Sequence, residues 1–325
     1  MSEGVAYHVA PPGFTKDQWE EFMEEGFLII EDALTPEEVE YYLNAIEELA
    51  ANDPKYDPTK TYSPSHVVAK HPAFTELIDH PRHVGYVYDV YGELLKLHLS
   101  QVFIRPKGGW HNMWHPDGAR AVPYGVFSPE LPLQIKVGYW LTDLPRPKMG
   151  NFVYMPGSHR LHDFEAYDTH RSVPGERILC CRAGTMTLMH ASLWHRVEPN
   201  ESDVARKNIF LAYCPSWVCE ADRFQCDPEW LKTLNREQRI IMRSYRGAYD
   251  RTKPPAEDFP LFLDRETGAD SDPEANPQVA LHRRKRRTWV EKTMGIPYEG
   301  PLASLYHRRR QRQGLEVPTG EPVED

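Results

Sequence analysis

The 325-residue chain has five cysteines and no apolar run of eighteen residues. Cys180, Cys181, Cys214, Cys219 and Cys226 are odd in number and lack C-x-x-C spacing, which argues against a zinc ribbon or a disulfide framework. The missing apolar run argues against a membrane-spanning helix. Met1-Ser2-Glu3-Gly4 has neither the basic flank nor the apolar stretch of a secretory leader, so a cytoplasmic location is expected. Basic residues are outnumbered, 38 against 48 acids, and the formal net charge of -10 opposes bulk attraction to nucleic acid.

What is present is more directive. Hydrophobic residues make up 40%, enough at this length to bury a core without covalent staples. The 29 prolines favour short elements joined by turns. Fifteen histidines in a chain without cysteine pairs turn attention to His/carboxylate metal sites.

Three regions can be read. Up to about residue 95 the pattern is helical. Thr15 and Thr35-Pro36-Glu37-Glu38 cap two helices, Gly26 ends the first, and Phe27–Ile30 reads as a buried strand. A further helix is predicted over about 73–95. From Leu97 to about Trp217, short apolar runs alternate with turn residues, the pattern of an all-β sandwich or barrel. The runs are Leu97–Ile104, Leu133–Leu141, Phe152–Met155, Thr185–Met189 and Asn208–Tyr213. Beyond Trp217 the chain turns polar, with a helix predicted over Pro228–Tyr245. The expected organisation is one barrel domain over 1–217 with its N-terminal helices, and a helical, basic extension over 218–325. That extension packs on or trails from the same domain. Its clusters at Arg283–Arg287 and Arg308–Arg312 can fold back on the acidic body, or form a homo-oligomer contact.

Within the β region, His115-Pro116-Asp117 places an imidazole and a carboxylate two residues apart, on one side of an extended segment. A later His, in Met189-His190-Ala191-Ser192-Leu193-Trp194-His195, can complete a facial triad. Two His and one carboxylate bind non-haem Fe(II) and leave three positions open for a co-substrate and O2. The tripeptide alone also fits a surface turn. Arg206 follows at the start of an apolar strand. Its guanidinium suits a dicarboxylate co-substrate, although alone it also fits a surface ion pair. A two-residue period puts Arg206, Asn208 and Phe210 on one face, which makes Asn208 a candidate substrate contact. His190 rivals His195 as third ligand; the spacing to Arg206 favours His195. His159 is read as fixing a turn and His111 as lying near the site. The other histidines, His83 among them, are assigned to surface or helix positions.

These residues resemble the phytanoyl-CoA dioxygenase (PhyH) family of Fe(II)/2-oxoglutarate oxygenases, which includes ectoine hydroxylases. The resemblance runs over roughly 14–217. It rests on Phe22–Ile30 with Leu34–Glu38, on Trp114-His115-Pro116-Asp117, and on Leu141-Thr142-Asp143 with Gly150–Arg160. Gly184-Thr185, His195, Pro199–Ser202 and Arg206 complete it. It implies a double-stranded β-helix, a jelly-roll or cupin-like barrel, mainly β with flanking helices. It further implies iron ligands His115, Asp117 and His195, with Arg206 on the distal carboxylate of 2-oxoglutarate. Gln101 matches a co-substrate position, but equally suits a strand edge.

In the strand Leu133–Leu141, Gln134 and Lys136 alternate with Ile135 and Val137. Facing the cavity, Lys136 would suit an anionic small-molecule substrate, with Gln134 beside it; facing outward, both would meet solvent. The expected activity is hydroxylation of an unactivated C–H with release of succinate and CO2. Desaturation, ring closure and epimerisation are the same-fold alternatives, and a non-catalytic ligand-binding barrel is the rival class. Halogenation is disfavoured, because Asp117 fills the position that a halide needs.

Overall fold

The computed structural model describes residues 8–118, 128–129, 131–161, 163–218, 225–245, 258 and 261–263. The chain divides into two compact units, residues 1–265 and 266–325. Both arginine-rich clusters fall in the second unit, outside the described residues.

Two helices open the first unit. Helix α1 (Lys16–Glu25) begins with a capping box between Thr15 and Gln18 and stops at Gly26, whose φ of 74° is left-handed. Helix α2 (Pro36–Ala51) repeats the device with Thr35 and Glu38, and Pro36 supplies a first turn that needs no N–H. Between them runs strand β1 (Phe27–Ile30), with Phe27 and Leu28 buried.

The helix expected over 73–95 is broken. Helix α3 (Pro72–Thr75) passes into a 3-10 turn at Glu76–Ile78, and helix α4 (Val84–Tyr91) starts afresh. Pro81 accounts for the gap, because proline steers the residue before it away from helix. His83 takes the helix alternative, at the start of α4, and is fully buried. Its Nδ1 lies 2.7 Å from the Tyr139 hydroxyl and its Nε2 2.7 Å from that of Tyr213. Tyr213 donates to the carbonyls of Leu77 and Ile78. The consistent assignment is therefore a neutral ring that donates from Nε2 to Tyr213 and accepts at Nδ1 from Tyr139. Burial holds this imidazole well below its usual range.

Two antiparallel sheets form the barrel. The larger contains β1, β2 (Leu95–Arg105), β3 (Ile135–Trp140), β6 (Thr185–His190) and β8 (Arg206–Pro215), in the order β1-β6-β3-β8-β2. The smaller contains β4 (Phe152–Tyr154), β5 (Arg177–Ile178) and β7 (His195–Val197), in the order β5-β4-β7. Isolated bridges Tyr62–Ile104 and Ser65–Gln101 lay a loop along the β2 edge.

Register fixes what each face carries. Lys136 pairs with Ala212 and Met189, Gly138 with Phe210 and Thr187, and Trp140 with Asn208 and Thr185. In β2, Gln101, Phe103 and Arg105 stand opposite Phe210, Asn208 and Arg206. Directly paired residues share a face, so this set looks toward the smaller sheet. The alternate residues, including Val102, Val137, Leu188, Leu211 and Tyr213, join Phe22, Ile46, Phe74 and Ile78 of the helical layer in the main core. Phe27, Trp140, Phe152 and Met189 pack between the sheets. The result is a double-stranded β-helix flanked by helices.

The helix predicted over Pro228–Tyr245 is two. Helix α5 (Pro228–Leu231) ends, and Asn235 and Gln238 build a new capping box for α6 (Arg236–Met242). Both cap residues also bond Asp79, at 2.9 Å each. No described helix is long and apolar enough to cross a membrane.

Candidate metal centre

His115, Asp117 and His195 come together although no single element carries them. One ligand atom from each lies within 4.8 Å of the others. His195 opens β7, while His115 and Asp117 sit on an extended segment bonded to the same stretch. His115 exchanges both backbone hydrogen bonds with His195, at 2.9 and 3.0 Å, and Asp117 N donates to Ala191 O at 2.7 Å. Trp114, wholly buried, pins the segment from behind by donating Nε1–H to Arg171 O at 2.6 Å.

Both imidazoles are oriented in the same way. His115 Nδ1 lies 2.6 Å from Met113 O, and His195 Nδ1 lies 2.9 Å from Leu193 O. A carbonyl only accepts, so each Nδ1 carries a proton, and Nε2 is the nitrogen each ring turns toward a metal. These Nε2 atoms lie 3.8 Å from Asp117 Oδ1 and 3.6 Å from Oδ2, respectively. Phe152 stacks on His195 with centroids 4.9 Å apart and limits its rotation. Burial, followed by the nearby His115, pushes the His195 imidazole down to about 3, against the upward pull of Asp117. Burial alone would raise the Asp117 carboxyl, but the Lys136 ammonium beside it holds it well below the usual carboxylate range. Two imidazoles with Nε2 turned inward and one ionised carboxylate on one side of a point are a donor set that fits Fe(II).

His190 stands apart. It ends β6 on the outer face, accepts from Ser192 N at 3.0 Å, and lies against His159 and Phe22. Opposite faces of one strand do not explain the separation. The turn at 191–194 carries the chain to the other sheet, so His190 and His195 belong to different ladders. His159 reaches Met23 O at 3.0 Å and ties its turn to α1, whereas His111 packs on His170.

Arg206 lies deeper on the inner face and is 1% exposed. It donates to Gly150 O and lies over the Trp140 ring at 5.3 Å, while its Nε has no partner among the described residues. Burial, with Arg105 close by, pushes this guanidinium well down. Asn208, fully buried on the same face, has no partner for either amide atom among the described residues. Orphaned buried polar atoms are costly, and an anionic ligand between Arg206 and the triad would accept from the donors among them, Arg206 Nε and Asn208 Nδ2.

The remaining candidates diverge. Lys136 reaches the centre, where its ammonium contacts Asp117 Oδ2 and lies 5.2 Å from the Phe210 centroid. Gln134 is buried beneath the turn after Asp117. A Cβ at Gly118, where φ is +63°, would fall 2.5 Å from Gln134 Oε1. Gln101 is on the inner face near the rim, where its Nε2 lies 3.4 Å from Ser65 Oγ.

Three contributors escape the sequence reading. Arg105, opposite Arg206, donates to Asn112 Oδ1 at 2.7 Å and to Trp110 O, and so steadies the approach to His115. Burial pushes it down to about 10. Its signal was the Gln101, Phe103, Arg105 alternation. The orienting carbonyls of Met113 and Leu193 had none, since backbone acceptors are independent of residue type.

Comparison with known proteins identifies the family and the fold. The family model for phytanoyl-CoA dioxygenase (PhyH) matches residues 22–208. An ectoine dioxygenase of Nocardia farcinica (strain IFM 10152) is 25% identical over 238 residues, covering 61% of this chain and 76% of the relative. Among solved structures, HygX of Streptomyces hygroscopicus with nickel and 2-oxoglutarate bound aligns with a TM-score of 0.56 at 23% identity. The alignment covers 64% of this chain and 90% of HygX. The carbocyclase SnoK from nogalamycin biosynthesis aligns with a TM-score of 0.51 at 20% identity, covering 63% and 87%. The matched span holds the whole triad and Arg206, and the chain belongs to the phytanoyl-CoA dioxygenase (PhyH) family of non-haem iron, 2-oxoglutarate-dependent oxygenases.

Proposed function

We propose that this protein hydroxylates an unactivated C–H of a small acidic molecule. The observation that carries the reading is that the facing inner sides of the two sheets bear a His115/Asp117/His195 cluster, a buried Arg206 and a Lys136 at the cluster's edge. His115, Asp117 and His195 would hold Fe(II), which supplies the O2-activating redox chemistry that side chains lack. Arg206 would take the distal carboxylate of 2-oxoglutarate and fix its depth, with Asn208 offering amide contacts beside it. Trp140 and Phe210 wall this space and keep water from it. Lys136 would receive the acidic group of the substrate, with Gln101 at the rim and Gln134 supporting the Asp117 turn. The reaction balances: one atom of O2 enters the alcohol, the other enters succinate, and the co-substrate leaves its first carboxyl as CO2.

The test is anaerobic loading with Fe(II), addition of 2-oxoglutarate and O2, and a panel of small acids with their neutral analogues. The expected result is succinate release stimulated by an acid that gains one oxygen atom. A product lacking two hydrogens would identify desaturation or ring closure, and one of unchanged mass epimerisation. The epimerase SnoN from nogalamycin biosynthesis shares this fold at a TM-score of 0.52 and 19% identity, as does the carbocyclase SnoK, so the fold accommodates both outcomes. No succinate under any condition would favour a binding barrel instead.

A further inference from the structure

Asp117 has two cationic claimants. Its carboxylate faces the two Nε2 atoms, and its Oδ2 is in contact with the Lys136 ammonium. Lys136 is held there by the fold. It projects from the inner face of β3 between Ala212 and Met189, its side chain is 12% exposed, and the Phe210 ring lies against its charge. Among the described residues, Asp117 is the carboxylate it pairs with. A dication at the three ligand atoms therefore shares its one anionic ligand with a neighbouring ammonium, in a pocket with little water to screen them.

We propose that Lys136 holds down the metal affinity of the centre, and that a carboxylate which draws its ammonium off Asp117 raises that affinity. The inference rests on the metal-centre reading above and adds a linkage to it. Imidazole ligands bring no negative charge, so Asp117 is the single anionic ligand of the cluster, and every interaction that engages its charge weakens what it offers the metal. Binding free energies are reciprocal. If an acid at Lys136 strengthens metal binding, the metal strengthens binding of the acid by the same factor. The centre would then be loaded most tightly when the acids it works on are present. The carboxylate can come from the co-substrate or from the acidic molecule to be oxidised, and the chemistry at Lys136 is the same.

Equilibrium titration with Co(II), without O2, tests this on the full chain and on Lys136→Met and Lys136→Gln. Each is titrated alone, with 2-oxoglutarate, and with 2-oxoglutarate plus acetate as a minimal second acid. Both variants should bind Co(II) alone more tightly than the parent, by on the order of ten- to a hundredfold. The tightening produced by added acid should be larger in the parent than in the variants, and the addition at which this excess appears identifies the source of the carboxylate. Variants that bind Co(II) no more tightly than the parent would overturn the proposal, and so would equal tightening in all proteins. Weaker Co(II) binding in the variants would assign Lys136 to orienting the carboxylate. Asp117→Ala separates the two levels. Unchanged Co(II) affinity in that protein would defeat the metal-centre reading itself, whatever Lys136 does.

Discussion

Gly138 sits opposite Phe210 in the ladder between β3 and β8, and a Cβ at Gly138 would lie 2.7 Å from Phe210 Cε1 and 2.8 Å from Thr187 Oγ1. The missing side chain is what lets the Phe210 ring fold down beside Lys136 and Trp140. Gly138→Ala should therefore push the ring into the cavity and disturb the Thr187 hydroxyl that accepts from Trp140 Nε1. Overpacking of this kind costs about 1–3 kcal/mol. A lower midpoint of thermal unfolding, together with weaker 2-oxoglutarate binding, is the expected outcome; unaltered stability and co-substrate affinity would show that the ring has room to spare.

The two histidines at the end of β6 and the start of β7 provide a contrast. His195→Ala removes one of the three candidate ligand atoms, and iron should no longer bind stoichiometrically, while far-ultraviolet circular dichroism stays near the parent. His190 faces α1 and His159, away from the centre. His190→Ala should lower stability through lost packing yet keep its iron. Metal analysis after gel filtration distinguishes the pair, and the reverse pattern would move the third ligand to His190.

How much of this could be read in the sequence depended on how local the signal was. The strands were legible because alternation is local; Ile135–Trp140 and Arg206–Pro215 lie within a few residues of the apolar runs that announced them. His115 and Asp117 were legible because a two-residue step sets their side. The break at Pro81 and the Asn235-x-x-Gln238 box were also present as signals, but were outweighed by the apolar residues around them. His83 was not legible. A histidine whose ring nitrogens are satisfied by Tyr139 and Tyr213 looks, in sequence, like any other, because its partners lie far along the chain. The same limit hid the carbonyls that orient His115 and His195.

His83 also sets a pH dependence. Its folded pKa is depressed by burial, so once the pH falls below the ordinary histidine value the unfolded chain binds a proton that the folded chain refuses. The stability this group contributes is fully present above about pH 6.5 and falls as the pH drops below it, by at most about 1.4 kcal/mol per pH unit. His83→Gln keeps a donor and an acceptor without the titration. Urea denaturation at pH 8 and pH 5 should show a smaller difference in the variant than in the parent; equal differences would mean that His83 is not refusing a proton.

The last prediction concerns Arg206 and its charge. The guanidinium is buried over Trp140 with Nε unpartnered among the described residues, so in the proposed complex it forms a desolvated pair with the distal carboxylate of 2-oxoglutarate. Truncating one partner of such a pair costs about 2–5 kcal/mol, most of it the penalty for leaving the other charge buried alone. Arg206→Ala should weaken 2-oxoglutarate binding accordingly while leaving Co(II) binding in place, because Arg206 is not among the residues that form the triad. Arg206→Lys should recover only part of the loss. An ammonium restores the charge, but it lacks the planar fork that donates to Gly150 O and to a carboxylate together. Calorimetric titration of 2-oxoglutarate into the Co(II)-loaded proteins gives the order expected: parent tightest, Arg206→Lys intermediate, Arg206→Ala weakest. If Arg206→Ala binds the co-substrate as the parent does, the distal carboxylate has another partner, and Arg105, directly across the ladder from Arg206, is the next candidate to test.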